Sequence, residues 1–331
     1  MRRRPAAGAV IAALAVNALA ALPSAAAAPT VTRYAGADRF QTAAEVSAAT
    51  FSPPVPVAFV ATADAFTDAL AAVPAAAVDR GPVLLVTGTA IPPATAAELT
   101  RVKPAKIVVL GGPAAIADSV VTSLQAYTTG SVTRIAGPDR YATAADVSAA
   151  TFAPRVNAVY IVSDAGFADV LVAGAVAANV KAPILVVSPD GIPAATAQEL
   201  TRLSPASIVV VGGPFAVSEK VAGLLAQSSA GSVTRVAGDD RYGTSVAVSQ
   251  TAFPTTAAAV YLATGANFPD ALTGGVAAGL APAPILLVTA ACVPASVSGE
   301  ITRLNPSRVI ILGGELAVGP AVDSLTTCAG P

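Results

Sequence analysis

Thr133-Arg134-Ile135-Ala136-Gly137-Pro138-Asp139-Arg140-Tyr141 occurs in two further versions along the chain. Thr32-Arg33-Tyr34-Ala35-Gly36-Ala37-Asp38-Arg39-Phe40 stands 101 residues before it, and Thr234-Arg235-Val236-Ala237-Gly238-Asp239-Asp240-Arg241-Tyr242 stands 101 residues after it. The offset runs outward from this stretch without a gap. Phe66 and Asp68 map onto Phe167 and Asp169, then onto Phe268 and Asp270. Pro82 maps onto Pro183 and Pro284, and Gly111-Gly112 onto Gly212-Gly213 and Gly313-Gly314. Self-similarity at a fixed period decides the architecture before any local reading. Residues 29–129, 130–230 and 231–331 therefore read as three modules after a leader at 1–28.

Each module alternates strand and helix signals. In the first, Val31 to Ala35 reads as a strand, and Asp38 reads as a helix N-cap with Gln41 completing a capping box. Apolar residues at helical spacing follow until Pro53, Pro54 and Pro56. Val57–Ala61, Val83–Val86 and Ile107–Leu110 are near-continuous apolar runs, the pattern of strands covered on both faces. Helices are expected over Phe66–Val78, Thr95–Val102 and Asp118–Ala126. The alternation predicts an α/β fold with a mostly parallel sheet and helices on both sides. Three such modules without linkers are expected to pack as a pseudo-threefold triangle.

The leader has the pattern of a secretory signal: Arg2, Arg3 and Arg4, then an apolar run over Ala9–Leu22, then small residues over Ser24–Ala28. An uncleaved anchor is the other reading, though the run is shorter than the ~20 residues of a span. Beyond residue 28 the chain has 16 Lys and Arg against 20 Asp and Glu, a formal charge of −4. Nucleic acid binding is not expected, because it needs a strong basic footprint. The two cysteines, Cys292 and Cys328, both lie in the third module and read as a disulfide in an exported chain. With no histidine to complete a thiol site, no metal is expected, and with neither G-x-G-x-x-G nor G-x-x-x-x-G-K-[ST] in the chain, no cofactor is expected.

Three repeated sets could carry function. Arg33, Arg134 and Arg235 form one, and Arg39, Arg140 and Arg241 another. Asp68, Asp169 and Asp270 form the third, beside the pairs Gly111-Gly112, Gly212-Gly213 and Gly313-Gly314. Arginine forks at equivalent places suit phosphate or carboxylate groups of a polymer. The same residues also suit a structural role, with aspartates capping helices and arginines bridging modules. The glycines read either as tight turns or as anion cradles. The repeated rings of Phe40, Tyr141 and Tyr242 and of Phe66, Phe167 and Phe268 sit at core spacing rather than as a sugar platform. Catalysis lacks parts: there is no histidine base, no expected free thiol and no specialised carboxylate pair.

Three motifs per module together resemble the bacterial cell wall binding repeat 2 family. They are T-R-x-A-G-x-D-R-[FY], the segment read best as Asn267-Phe268-Pro269-Asp270-Ala271-Leu272, and Ile107-Val108-Val109-Leu110-Gly111-Gly112. The last has two copies, and Pro104, Pro205 and Pro306 precede the three. The resemblance covers the chain after the leader. It implies Rossmann- or toprim-like modules packed as a triangle on Gram-positive surface proteins. It also implies non-covalent attachment to an anionic wall polymer, teichoic-acid-like or another phosphate- or carboxylate-bearing polysaccharide. No effector segment accompanies the modules here, so the expectation is a secreted binding protein. The alternatives are a wall hydrolase such as an amidase, a modifier or partner of such an enzyme, and a structural surface-layer component.

Overall fold

The computed structural model describes residues 28–64, 69, 71–228 and 231–329. Nearly all of the leader, together with Phe66 and Asp68, lies outside the described residues. The first repeat runs β1 (Thr30–Tyr34), α1 (Arg39–Thr50), β2 (Ala58–Thr62), α2 (Ala72–Val78), β3 (Val83–Val86), α3 (Pro93–Val102), β4 (Ile107–Leu110) and α4 (Asp118–Leu124). The second runs β5 (Val132–Ile135), α5 (Arg140–Thr151), β6 (Val159–Ser163), α6 (Phe167–Val180), β7 (Ile184–Val187), α7 (Ala194–Leu203), β8 (Ser207–Val211) and α8 (Glu219–Ser228). The third runs β9 (Ser232–Val236), α9 (Arg241–Ala252), β10 (Ala259–Thr264), α10 (Pro269–Leu280) and β11 (Ile285–Val288). It ends with β12 (Val293–Pro294), α11 (Ala295–Leu304), β13 (Arg308–Leu312), α12 (Pro320–Asp323) and β14 (Thr327–Cys328).

The three main sheets have the orders β3-β2-β4-β5, β7-β6-β8-β9 and β1-β13-β10-β11. Every ladder within them is parallel. The parallel, repeated α/β architecture read from the sequence is present, but sheet and sequence repeat are out of phase. The opening strand of each repeat completes the sheet of the repeat before it. A short parallel crossover explains this: β4, α4 and β5 form one βαβ unit, which lays β5 beside β4. At the other end of the chain, β1 pairs with β13 from Thr30↔Arg308 to Tyr34↔Leu312. The first repeat thus supplies the strand that the third would otherwise lack, and the three units close into a ring.

Alternation along the strands sorts their side chains between two layers. In the first sheet, Ala58, Val60, Leu84, Val86, Ile107 and Val109 pack with Leu99 of α3 and with Val120 and Leu124 of α4. Their neighbours Phe59, Ala61, Val83, Leu85, Val108 and Leu110 turn the other way, towards Ala43 and Val46 of α1 and the residues of α2. That second layer is continuous with its counterparts in the other repeats, so the ring has one shared core. Helices α2, α6 and α10 touch one another at its centre.

The equivalent positions of those three helices are Val73, Gly174 and Gly275, and they meet. A Cβ added at Gly174 would lie 3.3 Å from Val73 Cβ, and one at Gly275 would lie 2.9 Å from Val73 Cγ1. The axis has room for one branched side chain, and two of the three repeats yield it. The cysteine pair is a disulfide, Cys292–Cys328, with Cα atoms 5.9 Å apart across a separation of 36 residues. It fastens the small parallel pair β12–β14, in which Pro294 stands opposite Cys328. A cross-link over such a loop contributes roughly 3–4 kcal/mol. Among the described residues no helix is long and apolar enough to cross a membrane.

Crowding at the axis sets a direct test. Gly275→Val improves helix propensity by a few tenths of a kcal/mol but overpacks the centre, which costs about 1–3 kcal/mol. The variant is expected to unfold at lower denaturant, and Val73→Ala in the same chain is expected to recover part of the loss.

Candidate functional site

The repeated motif places its two arginines in different surroundings. Arg33, Arg134 and Arg235 sit on the handed-over strands and are half-buried at the joins between repeats. Arg33 donates from Nη1 to the carbonyl of Gly313 at 2.6 Å and from Nη2 to Asp323 at 2.6 Å. Arg134 donates to the carbonyls of Gly111 and Ile116 at 2.5 and 2.7 Å and pairs with Asp118 at 3.0 Å. Arg235 donates to the Gly212 carbonyl at 2.8 Å and pairs with Glu219 at 3.2 Å. In each case the carboxylate belongs to the last helix of the preceding repeat. These three arginines join repeats.

The glycine pairs divide as well. Gly111, Gly212 and Gly313 have φ of 102°, 113° and 102°, a region that suits glycine. Their amides donate to the carbonyls of Ile135, Val236 and Tyr34 at 2.9, 3.0 and 2.9 Å, which continues the ladder into the next repeat. Close approach of a carboxylate adds a second requirement: a Cβ at Gly212 would lie 2.5 Å from Asp169 Oδ2. Gly313 meets Asp270 in the same way. At Gly112 and Gly213 an added Cβ would meet nothing within 4 Å, so there the backbone borders open space.

Asp38, Asp139 and Asp240 cap α1, α5 and α9, accepting hydrogen bonds from amides of the first turn. Gln41 reaches one residue beyond the expected box, accepting at 2.9 Å from the Ala37 amide rather than from the amide of the cap itself. The arginine after each cap starts its helix. Arg39 donates to the Ala63 carbonyl at 2.9 Å, and Arg241 donates to the equivalent Gly265 carbonyl. Arg140 lies 3.5 Å from Asp164, which also accepts from the Tyr141 hydroxyl at 2.6 Å. Burial, and then that hydrogen bond, push the Tyr141 phenol up to about 12. Arg39 and Arg241 are exposed.

These residues line two equivalent grooves between repeats, at the carboxyl ends of the strands, where ligands of open parallel sheets bind. One, of about 430 Å³, is lined by Asp38, Arg39 and Thr42 of the first repeat and by Asp270, Gly314, Glu315 and Leu316 of the third. The other, of about 440 Å³, is lined by Asp169, Gly213 and Phe215 of the second repeat and by Asp239, Asp240 and Arg241 of the third. Burial pushes the Asp270 carboxyl up to about 6, against the pull of the Arg39 guanidinium and a hydrogen bond with Thr42. Asp169 is also raised by burial, against the pull of Arg241. Each groove therefore sets one arginine among three carboxylates. Asp68, the third of the aspartate set, lies outside the described residues.

Two features were not anticipated from the sequence. The triplets Glu98/Arg101, Glu199/Arg202 and Glu300/Arg303 are ion pairs in which Nε and Nη2 hold both carboxylate oxygens at 2.6–2.7 Å. The same guanidinium groups donate to the carbonyls of Phe51, Phe152 and Phe253, fastening the C-terminal ends of α1, α5 and α9. Repetition of Glu-[Leu/Ile]-Thr-Arg at the 101-residue offset was the available signal. The second feature is the pair Phe215 and Leu316, at 99% and 103% relative exposure on the lips of the two grooves. The first repeat has Ala114 at this position, so the signal was a break in the repeat. The repeated rings behave as expected where they are described: Phe40, Tyr141, Phe167, Tyr242 and Phe268 pack against the core.

A family model described as cell wall binding domain 2 (CWB2) matches residues 33–121, 134–222 and 235–323. The chain belongs to this family. Each matched segment begins at a join-forming arginine, and the last ends at Asp323, the partner of Arg33. The chain is 27% identical over 301 residues to the N-acetylmuramoyl-L-alanine amidase LytC of Bacillus subtilis (strain 168), covering 91% of this chain and 59% of that protein. It is 28% identical over 264 residues to the amidase enhancer of the same organism, covering 80% of this chain and 35% of that protein. The chain thus spans little more than half, and about a third, of the lengths of these relatives. Among solved structures, Cwp6 from Clostridium difficile superposes with a TM-score of 0.83 at 26% identity, covering 92% of this chain and 49% of that one. Cwp8 from the same organism gives 0.81 at 26% identity, covering 89% and 51%. Three CWB2 repeats give the chain a cell wall binding role and a place at the wall or cell surface.

Asp270 makes the groove pH-sensitive. Its folded-state value lies above that of an unfolded aspartate, so folding favours the protonated form. Its contribution to stability is complete below about pH 4 and is lost as the pH rises through about 6. Asp270→Asn is expected to flatten stability between these limits and to raise it above pH 7 by on the order of 2 kcal/mol. Denaturant titration of both proteins across pH 4–8 reads this out.

Proposed function

We propose that the chain is a secreted, non-catalytic wall protein that holds an anionic wall polymer at the grooves between its repeats. Residues 1–28 would direct its export. The observation that carries the reading is the division of labour between the arginines. Arg33, Arg134 and Arg235 are committed to the joins, whereas Arg39 and Arg241 are exposed at the open ends of the strands. An exposed guanidinium beside a capped helix start suits a phosphate or carboxylate oxygen. Arg140 occupies the equivalent place in the second repeat. Carboxylates outnumber arginine in each described groove, so a single groove holds an anionic group weakly. Linked equivalent sites offset this, since avidity along one polymer gains ~10²–10⁴-fold without new contacts. A second reading, a helper of a wall amidase, draws support from the names of the two curated relatives.

Co-sedimentation of the chain from residue 29 with purified Gram-positive walls tests the first reading. Binding is expected to fall with added salt and after removal of phosphate-linked polymers, and to strengthen from pH 7.5 to pH 5.5 as Asp270 becomes protonated. Replacing Arg39, Arg140 and Arg241 together with alanine is expected to abolish binding while circular dichroism stays unchanged. Binding that ignores both stripping and the triple replacement would move the site elsewhere. Stimulation of an added amidase would favour the second reading.

A further inference from the structure

The two described grooves are built on one plan, and the residues that break the repeat lie on their lips. In the groove between the second and third repeats, Phe215 stands where the other copies have Ala114 and Leu316. In the same groove Asp239 stands where they have Ala37 and Pro138. The Phe215 ring is 99% exposed although it sits in a tight loop after β8, where a small residue serves equally well in the first repeat. Nothing in the fold accounts for it. A single exposed apolar side chain is ordinary on a protein surface, but this ring lies on the lip of a polar cleft and at a position where the repeat does not require it.

The polar walls say what kind of contact. Arg241, Asp169 and Asp239 set donors and acceptors side by side along the groove. A phosphate would meet three carboxylates here, counting Asp240, and one guanidinium. A sugar ring meets no such repulsion. Its hydroxyls donate to carboxylates and accept from arginine, while its C–H face covers an aromatic ring. The volume of about 440 Å³ is of the size that small-ligand sites use.

We infer that the groove between the second and third repeats is a saccharide subsite, in which a pyranose ring of the wall polymer stacks on Phe215 with its hydroxyls bound by Arg241, Asp169 and Asp239. This rests on the wall-attachment reading and deepens it: the polymer is gripped through its sugar rings as well as its charges. The groove between the third and first repeats, with Leu316 on its lip and no counterpart of Asp239, is a weaker version of the same subsite.

The chain contains no tryptophan, so Phe215→Trp supplies a single reporter. The probe is the uncharged oligosaccharide released from purified walls by cleavage of their phosphodiester bonds. Its addition is expected to shift the emission of Phe215→Trp, and the same oligosaccharide is expected to compete with whole walls for the unaltered protein. Phe215→Ala is expected to bind walls roughly three- to ten-fold more weakly, the size of one lost ring contact, with an unchanged melting temperature. Leu316→Phe is expected to tighten binding. Wall binding by Phe215→Ala at full strength, together with a silent tryptophan, would overturn the saccharide subsite and leave wall attachment standing. Failure of the unaltered protein to bind walls at all would overturn both.

Discussion

The structure depends on a parallel strand given by each repeat to the sheet of its neighbour. Parallel strands cannot follow one another through a tight turn, so each repeat must cross over a helix before its sheet can grow. Here the crossover from β4 through α4 ends in β5, at the point where the next repeat has already begun in sequence. Sheet growth and module succession are one event. The arginine on the donated strand then reaches back to the glycine carbonyl and the last-helix carboxylate of the donor's predecessor. Removing that arginine would leave a half-buried carbonyl and a carboxylate without their partner at the join, so the motif marks the seam rather than the middle of a domain.

Function and architecture share this seam. The nine-residue motif crosses it: its first arginine closes the joint, its glycine brings the chain close against the helix, its aspartate caps that helix, and its second arginine faces the groove. The carboxylate of Asp270 or Asp169 comes from the neighbouring repeat and fits only because a glycine lies beneath it. A groove of this kind exists only when two repeats are docked. Charge balance in it is delicate, because burial raises the aspartates while arginine opposes the rise.

Much of this was legible in the residues. The 101-residue offset fixed how many units there are, the apolar runs announced doubly covered parallel strands, and Asp38 with Gln41 announced a capped helix. The strand exchange was not legible, because Val31–Tyr34 reads as a strand in any partner's sheet, and only three-dimensional adjacency names the partner. The two arginines of the motif were separated by their partners: the first is held between a glycine carbonyl and a last-helix carboxylate, whereas the second starts a helix at the carboxyl end of the sheet. Phe215 and Leu316 were not legible, because they depart from Ala114 of the first repeat at a position where the fold sets no requirement. The glycines at 174 and 275 had no visible reason until Val73 appeared opposite them.

Two of the three seams in the ring are crossed by continuous backbone, while the third is held by β1 lying along β13. That difference matters mechanically. A pull on the start of the chain reaches β1 first, so the backbone hydrogen bonds to β13 and the Arg33 clamp bear the load. For a protein held at a cell surface, the seam without backbone continuity is the one that feels any tether attached upstream. Nearby, the Cys292–Cys328 bridge binds the end of the chain to the loop after β11, so the third repeat has a covalent brace where the ring has its non-covalent seam.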